Sequence, residues 1–423
     1  MWRLMAVVAA LLLPACEVAN TSVNSTELDS MNQASSRLLL ISIDGYRYDY
    51  TDLHQPPFLT EFRANGATLA SLRPAYPSKT FPNHLTLVTG MRPARHGIVF
   101  NSFYAPELDA RYSLKDRAAI QNPDFYLAEP LWVLMERAGY KTATYFWPGS
   151  EAPINGITPT QFEVYKHSTP PAERVDKVLH WIAQKGPDAP RFMSLYFSQI
   201  DDAGHDFGPT APETKQAVLE LDHTLAQLWH RAQQLDPELN VVIVSDHGMQ
   251  ARVEHQQVAL FSEQDQHIAA NYQVVGHGPS VQLYKRASGQ ADPEQDAAQL
   301  NRKAEHFTCY TGATAPSQWA MAETQRMGDI LCAADNYWNI TANAEERFSA
   351  GNHGWSTDET LEPGAKDLHA IFYARGPAFK AGALLPTRDN IHVMPLLAHI
   401  LGIDLPAPVD GNLTEMQDLL RTP

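Results

Sequence analysis

Three short, nearly continuous apolar segments each lead into an aspartate, and this pattern constrains the fold most. The segments are residues 37–43, 191–200 and 240–245, and they precede Asp44, Asp201 and Asp246. Apolar runs of this length are typical of strands buried on both faces of a parallel sheet. In open α/β sheets, sites form beyond the carboxyl ends of such strands. The sequence therefore predicts three carboxylates at one edge of a sheet.

Helical segments alternate with the strands. Further strands are predicted at residues 141–146 and 368–374, and helices at residues 126–138, 173–184, 214–234 and 393–401. In the helix at 214–234, Val218, Leu221, Leu225 and Leu228 recur at the spacing of a packed helix face. Alternation of this kind predicts an α/β fold with a mostly parallel sheet and helices on both faces.

The alternation weakens between residues 252 and 350. This stretch is polar and has isolated strand-like pieces at residues 280–284 and 328–333. We predict a smaller inserted α+β subdomain at residues 252–350, between two parts of a catalytic core at residues 37–251 and 351–423.

The amino-terminal segment has the pattern of an export signal. Trp2 and Arg3 precede an apolar run that is too short for a membrane span, and Pro14-Ala15-Cys16 follow it. The pattern resembles a bacterial lipoprotein signal at residues 1–15, with Cys16 as the lipidated residue. An ordinary cleaved signal peptide with an incidental cysteine is the alternative. Both predict export, and the first predicts a periplasmic protein whose only membrane contact is the lipid anchor.

Residues 16–36 are polar and rich in Ser, Thr and Asn, so we predict a flexible tether. If Cys16 carries lipid, Cys309 and Cys332 remain as a pair. A disulfide between them suits an oxidising compartment. Two buried free thiols are the alternative.

The formal net charge of −16 argues against a nucleic-acid-binding surface, which would be basic. It does not argue against an anionic substrate, because bound divalent cations reverse the charge of a site locally. We expect a small-molecule substrate and a monomeric chain.

Carboxylates and imidazoles occur together in the polar blocks. Asp201 and His205 are four residues apart, His247 follows Asp246, and His353 lies between two glycines. Mixed Asp and His ligands suit Zn²⁺ better than Ca²⁺ or Mg²⁺. Two such ions about 3.5–4 Å apart are a common apparatus for displacement at phosphorus. Asp202 is the alternative ligand in its block, and a lone histidine such as His353 is often structural.

Two further polar residues fit the same chemistry. Thr80 lies just before a predicted helix start at Pro82, where free N–H groups favour an anion. Coordination to a metal would make its hydroxyl a nucleophile. A capping threonine without chemistry is the alternative, and Ser78 is the alternative hydroxyl. The amide of Asn101 could donate a hydrogen bond to a phosphoryl oxygen, although loop asparagines are usually turn residues.

Together these blocks resemble the nucleotide pyrophosphatase/phosphodiesterase family of the alkaline phosphatase superfamily. The matching motifs are Asp-Gly-Tyr-Arg from Asp44, Lys-Thr-Phe-Pro-Asn-His from Lys79, Asp-His-Gly-Met from Asp246 and Asn-His-Gly-Trp from Asn352. The resemblance extends from about residue 37 to 415 and is weakest in the insertion. It implies an alkaline phosphatase-like core.

The resemblance also implies a role for each site residue. One zinc ion would be held by Asp201, His205 and His353. The other would be held by Asp44, Asp246, His247 and the hydroxyl of Thr80. The phosphoryl oxygens would be bound by Asn101 and the backbone N–H of Phe81. A nucleobase would stack on Phe81 and Tyr165, with Tyr196 lining the same pocket.

The implied reaction is hydrolysis of nucleotide phosphodiester and pyrophosphate bonds through a phosphorylated Thr80, with release of nucleoside 5′-monophosphates. A phosphomonoesterase and a choline-phosphate lipid phosphodiesterase are alternatives with the same two-metal core. Monoesterases of the superfamily add positive side chains for the extra charge of a phosphate monoester. In this sequence Arg47 follows the first strand, but no arginine block adjoins Thr80. The alternative that is not an enzyme is a lipoprotein that binds metal or nucleotide without catalysis.

Overall fold

A computed structural model describes residues 36–287, 290–341, 349–360, 362, 364–405 and 408–421. The predicted signal segment, the lipidation site at Cys16 and the tether up to residue 35 lie outside the described residues. Within the described ranges, no helix combines the length and the apolar character that crossing a membrane requires.

Twelve strands carry the two main sheets. In chain order they are β1 (Leu38–Ile43), β2 (Ala67–Leu69), β3 (Thr142–Tyr145), β4 (Gln161–Glu163), β5 (Phe192–Phe197), β6 (Asn240–Val244), β7 (Tyr272–Val275), β8 (Ser280–Lys285), β9 (Phe307–Tyr310), β10 (Ile330–Ala334), β11 (Phe372–Arg375) and β12 (Leu384–Leu385). Short two-stranded pairs add Ser102–Ala105 with Ala110–Ser113, Leu72–Arg73 with Arg388–Asp389, Gln250–Ala251 with Gly351–Asn352, and Gln257–Ala259 with Asn339–Thr341.

The central sheet has the strand order β12-β2-β11-β6-β1-β5-β3-β4. β1 lies in the middle and pairs in parallel with β5 and β6. Only β11 runs against its neighbours, β6 and β2. The predicted mostly parallel sheet is therefore confirmed, and its central strands are the ones that lead to the aspartates.

The α-helices of the described ranges alternate with the strands. They are α1 (Tyr50–His54), α2 (Pro57–Ala64), α3 (Thr80–Thr89), α4 (Pro93–His96), α5 (Arg117–Gln121), α6 (Leu131–Arg137), α7 (Pro171–Ala183), α8 (Gln199–Phe207), α9 (Pro212–Leu235), α10 (Gln266–Asn271), α11 (Pro293–Asn301) and α12 (Val393–Leu401).

The two faces of the central sheet bury different side chains. On β1, Leu38 and Leu40 pack into a core with α3, α6 and α12, whereas Leu39 and Ile41 pack into a second core with α2, α7 and α9. Successive strand residues point to opposite faces, so both faces need a cover of helices. This arrangement confirms the predicted α/β class and explains why the strands read as continuous apolar runs.

A second, antiparallel sheet lies within the region that was predicted to be inserted. Its strand order is β7-β8-β10-β9, and α10 and α11 accompany it. It has its own core, which includes Ile268, Leu283 and Ile330. Cys309 and Cys332 pair across β9 and β10, and their sulfur atoms are bonded. The exact borders of the insertion remain a prediction.

Three predicted boundaries differ from the structure by more than two residues, each for a local reason. The helix predicted from residue 126 begins at Leu131, because Pro130 disfavours helical conformation in the residue before it. The strand predicted from residue 368 begins at Phe372, because the carbonyls of Asp367, Leu368 and His369 accept hydrogen bonds from loops instead. The strand predicted to reach residue 200 ends at Phe197, where α8 follows almost at once.

Candidate active site

The candidate site lies at the carboxyl edge of β1, β5 and β6. Asp44 directly follows β1, and Asp246 comes two residues after β6. Asp201 does not directly follow its strand, as the sequence suggested, but lies in the first turn of α8. The helix places Asp201 and His205 one turn apart, with 3.5 Å between Asp201 Oδ2 and His205 Nε2.

Gly45 allows these aspartates to come together. Its φ of +68° is a backbone conformation that residues with a side chain rarely adopt. A Cβ atom at this position would also lie 2.9 Å from the Cα of Asp201. Its N–H donates a hydrogen bond to Asp246 Oδ1 at 3.2 Å. The turn after β1 therefore fixes the spacing of Asp44, Asp201 and Asp246.

Three histidines are oriented in the same way. Each donates Nδ1–H to a backbone carbonyl: His205 to Gly351 (2.8 Å), His247 to Gly248 (2.9 Å) and His353 to Ser78 (2.7 Å). A carbonyl oxygen can only accept, so Nδ1 carries the hydrogen and Nε2 is left to face the site. Such carbonyl partners are a regular feature of metal-binding histidines.

The three carboxylates of the site also have free hydrogen-bonding capacity. One oxygen of each is buried without a well-formed hydrogen bond: Asp44 Oδ1, Asp201 Oδ1 and Asp246 Oδ2. These oxygens face imidazole nitrogens, with Asp44 Oδ1 lying 3.4 Å and Asp246 Oδ2 3.0 Å from His247 Nε2. Buried carboxylates without partners are costly unless a cation balances them. The donor set therefore fits bound divalent cations.

The ligand atoms form groups that a metal ion could bridge, with all atoms of a group within 4.8 Å of one another. The groups are Asp201, His205 and His353; Asp44, Asp201 and His247; and Asp44, His84 and Asp246. The first is one of the two predicted metal sets. The second draws on both predicted sets, so the two sets adjoin.

His84 was not predicted as a functional residue, and its surroundings argue against a ligand role. Its Nδ1–H donates to the carbonyl of Thr80 at 2.8 Å, so its Nε2 accepts the hydroxyl hydrogen of Ser42 at 2.8 Å. Burial lowers the pKa of His84 and keeps it neutral. His84 therefore supports the helix start at Thr80, a role that its position four residues later in the helix could have indicated.

The charges of the site depend strongly on one another. Burial, Asp246 and Asp201 raise the pKa of Asp44 well above its ordinary value. Burial also raises the pKa of Asp246, but the charge of His247 and the hydrogen bonds from His247 and the Gly45 N–H outweigh it and lower that pKa to about 2. Burial lowers the pKa of His247, and Asp246 more than reverses this and raises it. The raised pKa values of Asp44 and His247 both reflect the excess carboxylate charge of the site, which a bound cation would offset.

Thr80 is the first residue of α3, and its Oγ1 lies 3.4 Å from His247 Nε2. The alternative hydroxyl, Ser78, is buried and bonded to the backbone of Gly354 and Trp355. Of the two candidate nucleophiles, Thr80 is therefore the one whose hydroxyl faces a predicted metal ligand. The alternative ligand Asp202 lies 3.8 Å from His167 and belongs to none of the three groups.

Asn101 lies beside Thr80, and one of the two polar atoms of its side chain already has a backbone partner. Its side-chain oxygen accepts the backbone N–H of Phe81 at 3.0 Å. The Phe81 N–H, which we expected to bind a phosphoryl oxygen, is therefore occupied. Because this contact fixes the amide oxygen, the NH₂ group of Asn101 is the donor that remains.

A cavity of about 320 Å³ opens over the metal-binding groups. Its wall includes Thr80, Phe81, Asn101, Tyr165 and Tyr196, so all the predicted substrate-contacting residues reach it. The Tyr196 ring is only 7% exposed, and its hydroxyl donates to Asp44 Oδ2 at 2.6 Å. Tyr196 therefore holds the carboxylate of Asp44 by a hydrogen bond and leaves little of its ring exposed for stacking.

Arg47 does not contribute to this cavity. Its guanidinium forms two hydrogen bonds with Asp49 and lies 3.5 Å from Asp367. It is therefore committed to structural ion pairs and gives no support for a monoester substrate.

Comparison with known proteins gives the family. The family model for type I phosphodiesterase / nucleotide pyrophosphatase matches residues 38–356, and the chain belongs to that family. The chain is 32% identical to Ectonucleotide pyrophosphatase/phosphodiesterase family member 1 of Mus musculus over 426 residues, with 96% of this chain covered. It covers 45% of that relative, so it spans less than half of its length.

Two further comparisons involve family member 5. The human protein is 31% identical over 397 residues, with 93% of this chain and 80% of that protein covered. The murine protein, solved as an inactive threonine-to-alanine variant in complex with AMP, superposes with a TM-score of 0.83 at 28% identity. That comparison covers 92% of this chain and 100% of the other. The predicted alkaline phosphatase-like fold is confirmed by this similarity.

Proposed function

We propose that this chain is an exported, zinc-dependent phosphodiesterase that cleaves phosphodiester and pyrophosphate bonds in nucleotides and releases nucleoside 5′-monophosphates. The observation that carries the proposal is the convergence of three histidine Nε2 atoms and three unpartnered carboxylate oxygens beside Thr80. The cavity with Phe81 and Tyr165 on its wall supports a planar base as part of the substrate.

Two zinc ions would be held by the adjoining residue sets. One set is Asp201, His205 and His353, and the other is Asp44, Asp246, His247 and the Thr80 hydroxyl. Bound zinc would acidify the attacking hydroxyl and water and neutralise the charge that develops on the phosphoryl oxygens. The two sets adjoin through Asp44, Asp201 and His247, as a two-metal centre for phosphoryl transfer requires.

The chain's own residues define the steps of the reaction. Thr80 Oγ1 forms a bond to phosphorus, and the bond between phosphorus and the leaving oxygen breaks. The Thr80 hydroxyl proton is released to solvent, and the departing oxygen takes up a proton from solvent. The NH₂ group of Asn101 donates to a non-bridging oxygen as charge builds up there. Water then displaces Thr80 from the opposite side, which restores the hydroxyl and releases the monophosphate.

The relatives support this assignment. The murine family member 5 was inactive as a threonine-to-alanine variant and was solved with AMP. Another relative, a Mus musculus protein that is 30% identical over 397 residues, is named Bis(5'-adenosyl)-triphosphatase enpp4. Both names fit a nucleotide substrate with a 5′-monophosphate product.

The test compares three chromogenic esters on the zinc-loaded protein: a thymidine 5′-phosphodiester, a simple phosphomonoester and a phosphocholine ester. We expect kcat/KM for the nucleotide diester to exceed the other two by about a hundredfold or more, since only it can stack on the cavity wall. A preference for the monoester or the phosphocholine ester would replace the proposed substrate class with the corresponding alternative.

We further propose that Cys16 carries a lipid that holds the chain at a bacterial membrane on the periplasmic side. In support, Ser36 and Arg37 enter the fold at the amino end of β1, whereas the site lies at its carboxyl end. An anchored chain would therefore keep its site away from the tether. Cys16→Ser is expected to move the protein from the membrane fraction to the soluble fraction; retention at the membrane would contradict a lipid at Cys16.

A further inference from the structure

The backbone of Tyr165 is held at both of its polar groups by one ion pair. Glu151 Oε1 accepts the Tyr165 N–H at 2.9 Å. Arg117 donates Nη2–H to the Tyr165 carbonyl at 2.9 Å and Nη1–H to Glu151 Oε2. The three residues therefore form a closed ring of contacts around the peptide groups of the aromatic residue that faces the cavity.

This ion pair differs from an ordinary surface pair in its burial. The Glu151 side chain is only 6% exposed, while that of Arg117 is 45% exposed. Gln121 donates a further hydrogen bond to Glu151 Oε2 at 3.1 Å. A carboxylate with this many donors has one strongly preferred orientation, so it can fix the backbone that it contacts.

The other side of the Tyr165 loop is held by a buried arginine. Arg174 donates to the carbonyls of Thr169, Tyr196 and His167. The Tyr165 ring itself packs edge-on against Phe146, with 5.2 Å between centroids. Arg174 thus fixes the loop after Tyr165, while Arg117 and Glu151 hold the backbone of Tyr165 itself.

We propose that Arg117 and Glu151 are positioning residues that set the affinity for the nucleobase by holding Tyr165 in its stacking position. The proposal rests on the proposed function, because it assumes that a base stacks at Tyr165. Neither residue takes part in the bond-breaking steps.

The experiment measures kcat and KM separately on two diesters: a thymidine 5′-phosphodiester and bis(4-nitrophenyl) phosphate, which has no nucleobase. For Arg117→Gln we expect KM of the nucleotide ester to rise about tenfold, on the scale of a weakened base-stacking contact. Its kcat should stay within about twofold, and both constants for the baseless ester should hardly change. The matched control is Arg137→Gln, which breaks a surface pair with Glu129 at similar exposure.

A double-mutant cycle with Tyr165→Ala separates positioning from direct contact. If Arg117 acts through Tyr165, adding Arg117→Gln to Tyr165→Ala changes KM no further. A second, independent rise in KM would mean that Arg117 contacts the substrate itself, and would overturn the proposal. Glu151→Gln keeps an oxygen for the Tyr165 N–H and loses the charge, so its KM should lie between those of the wild type and Arg117→Gln.

The remaining outcomes separate the two proposals. If Arg117→Gln lowers kcat equally on both esters, the pair has a general structural role and the positioning proposal fails. If KM of the nucleotide ester does not change, it fails as well. If the wild type hydrolyses neither ester, the proposed function fails, and the dissociation constant of AMP for Arg117→Gln and the wild type then decides the positioning proposal by the same expected tenfold difference.

Discussion

Thr80 stands at the start of α3 with its hydroxyl 3.4 Å from His247 Nε2, and no other hydroxyl of the motif is free to act. Thr80→Ala is therefore expected to reduce kcat by at least about a thousandfold, as the loss of a nucleophile does. Bound zinc, measured by elemental analysis, should stay near the wild-type level because the Asp and His ligands remain. Thr80→Ser should keep measurable turnover. Full activity of Thr80→Ala would refute the nucleophile assignment.

The protonation of His247 makes metal binding depend on pH. The pKa of His247 is raised above its ordinary value, chiefly because Asp246 outweighs the effect of burial. A metal must displace that proton, so zinc affinity should fall as the pH drops through the raised pKa of His247 and should be highest above it. The check is zinc affinity by competition with a chelator across a pH series. An affinity that stays constant down to the ordinary pKa of free histidine would contradict this.

The Tyr196 hydroxyl contacts Asp44 at 2.6 Å, so it should affect the metal through its ligand. Tyr196→Phe keeps the ring and removes the donor. We expect zinc affinity to fall about tenfold or more, as with other residues that hold metal ligands. KM for the nucleotide ester at saturating zinc should change little, which a chelator titration and a steady-state assay would show. A rise in KM with unchanged zinc affinity would return Tyr196 to the substrate pocket.

For single residues, the sequence predicted which side chains belong to the site better than it predicted their contacts. Each predicted metal ligand lies at the site, because its place after a strand or in a glycine-flanked loop was visible. The contact of Asn101 with the Phe81 N–H was not predictable, because it joins residues 20 positions apart through a side-chain orientation. The same holds for Tyr196, whose contact with Asp44 depends on the register of β5 beside β1.

The turn between β1 and the rest of the site sets the distance between ligand-bearing elements. Gly45→Ala places a methyl group 2.9 Å from the Cα of Asp201 on α8 and also strains φ. Gly139 has a similar positive φ of +87°, yet a methyl group there meets nothing within 4 Å. Gly139→Ala should therefore cost only the strain, about 1–2 kcal/mol. Gly45→Ala should cost more and also weaken zinc binding, as urea unfolding and chelator titration would show.

Equal losses of stability in the two alanine variants, with unchanged zinc binding, would mean that α8 can move away from β1 without consequence.

The sequence predicted the existence of helices and strands more reliably than their first and last residues. The helix at Val393–Leu401 was predicted to the residue, whereas α6 starts five residues late because of Pro130. The early end of β5 was hidden because Gln199 and Ile200 fit a strand as well as a helix.

Within the described part of the chain, the buried carboxylate oxygens that lack a hydrogen-bond partner all lie at one edge of the central sheet. The site's three aspartates converge there, and a cation should therefore stabilise the folded state more than the unfolded one. We expect removal of zinc by a chelator to lower Tm and its return to restore Tm. Asp201→Asn, which removes one carboxylate, should reduce the difference in Tm between the zinc-bound and the zinc-free protein. A Tm that does not respond to zinc would contradict the metal assignment.

Topology explains why the class of fold was easier to predict than the strand pairing within the inserted region. The central strands β1, β5 and β6 are adjacent in the sheet, although more than 150 residues separate Asp44 from Asp201. Their apolar runs nevertheless identify them one by one. The outer antiparallel strands β7 and β9 have four residues each and are only partly buried, so their pairing could not be read from apolar runs alone.

The most direct test of the account is the stereochemical course at phosphorus. A chirally pure nucleoside 5′-phosphorothioate diester is hydrolysed in ¹⁸O-labelled water, and the configuration of the thiophosphate product is determined by ³¹P NMR. Attack by Thr80 followed by displacement by water consists of two inversions, so the account predicts net retention of configuration. Inversion would show that water attacks the substrate directly, and would contradict the central role given to Thr80.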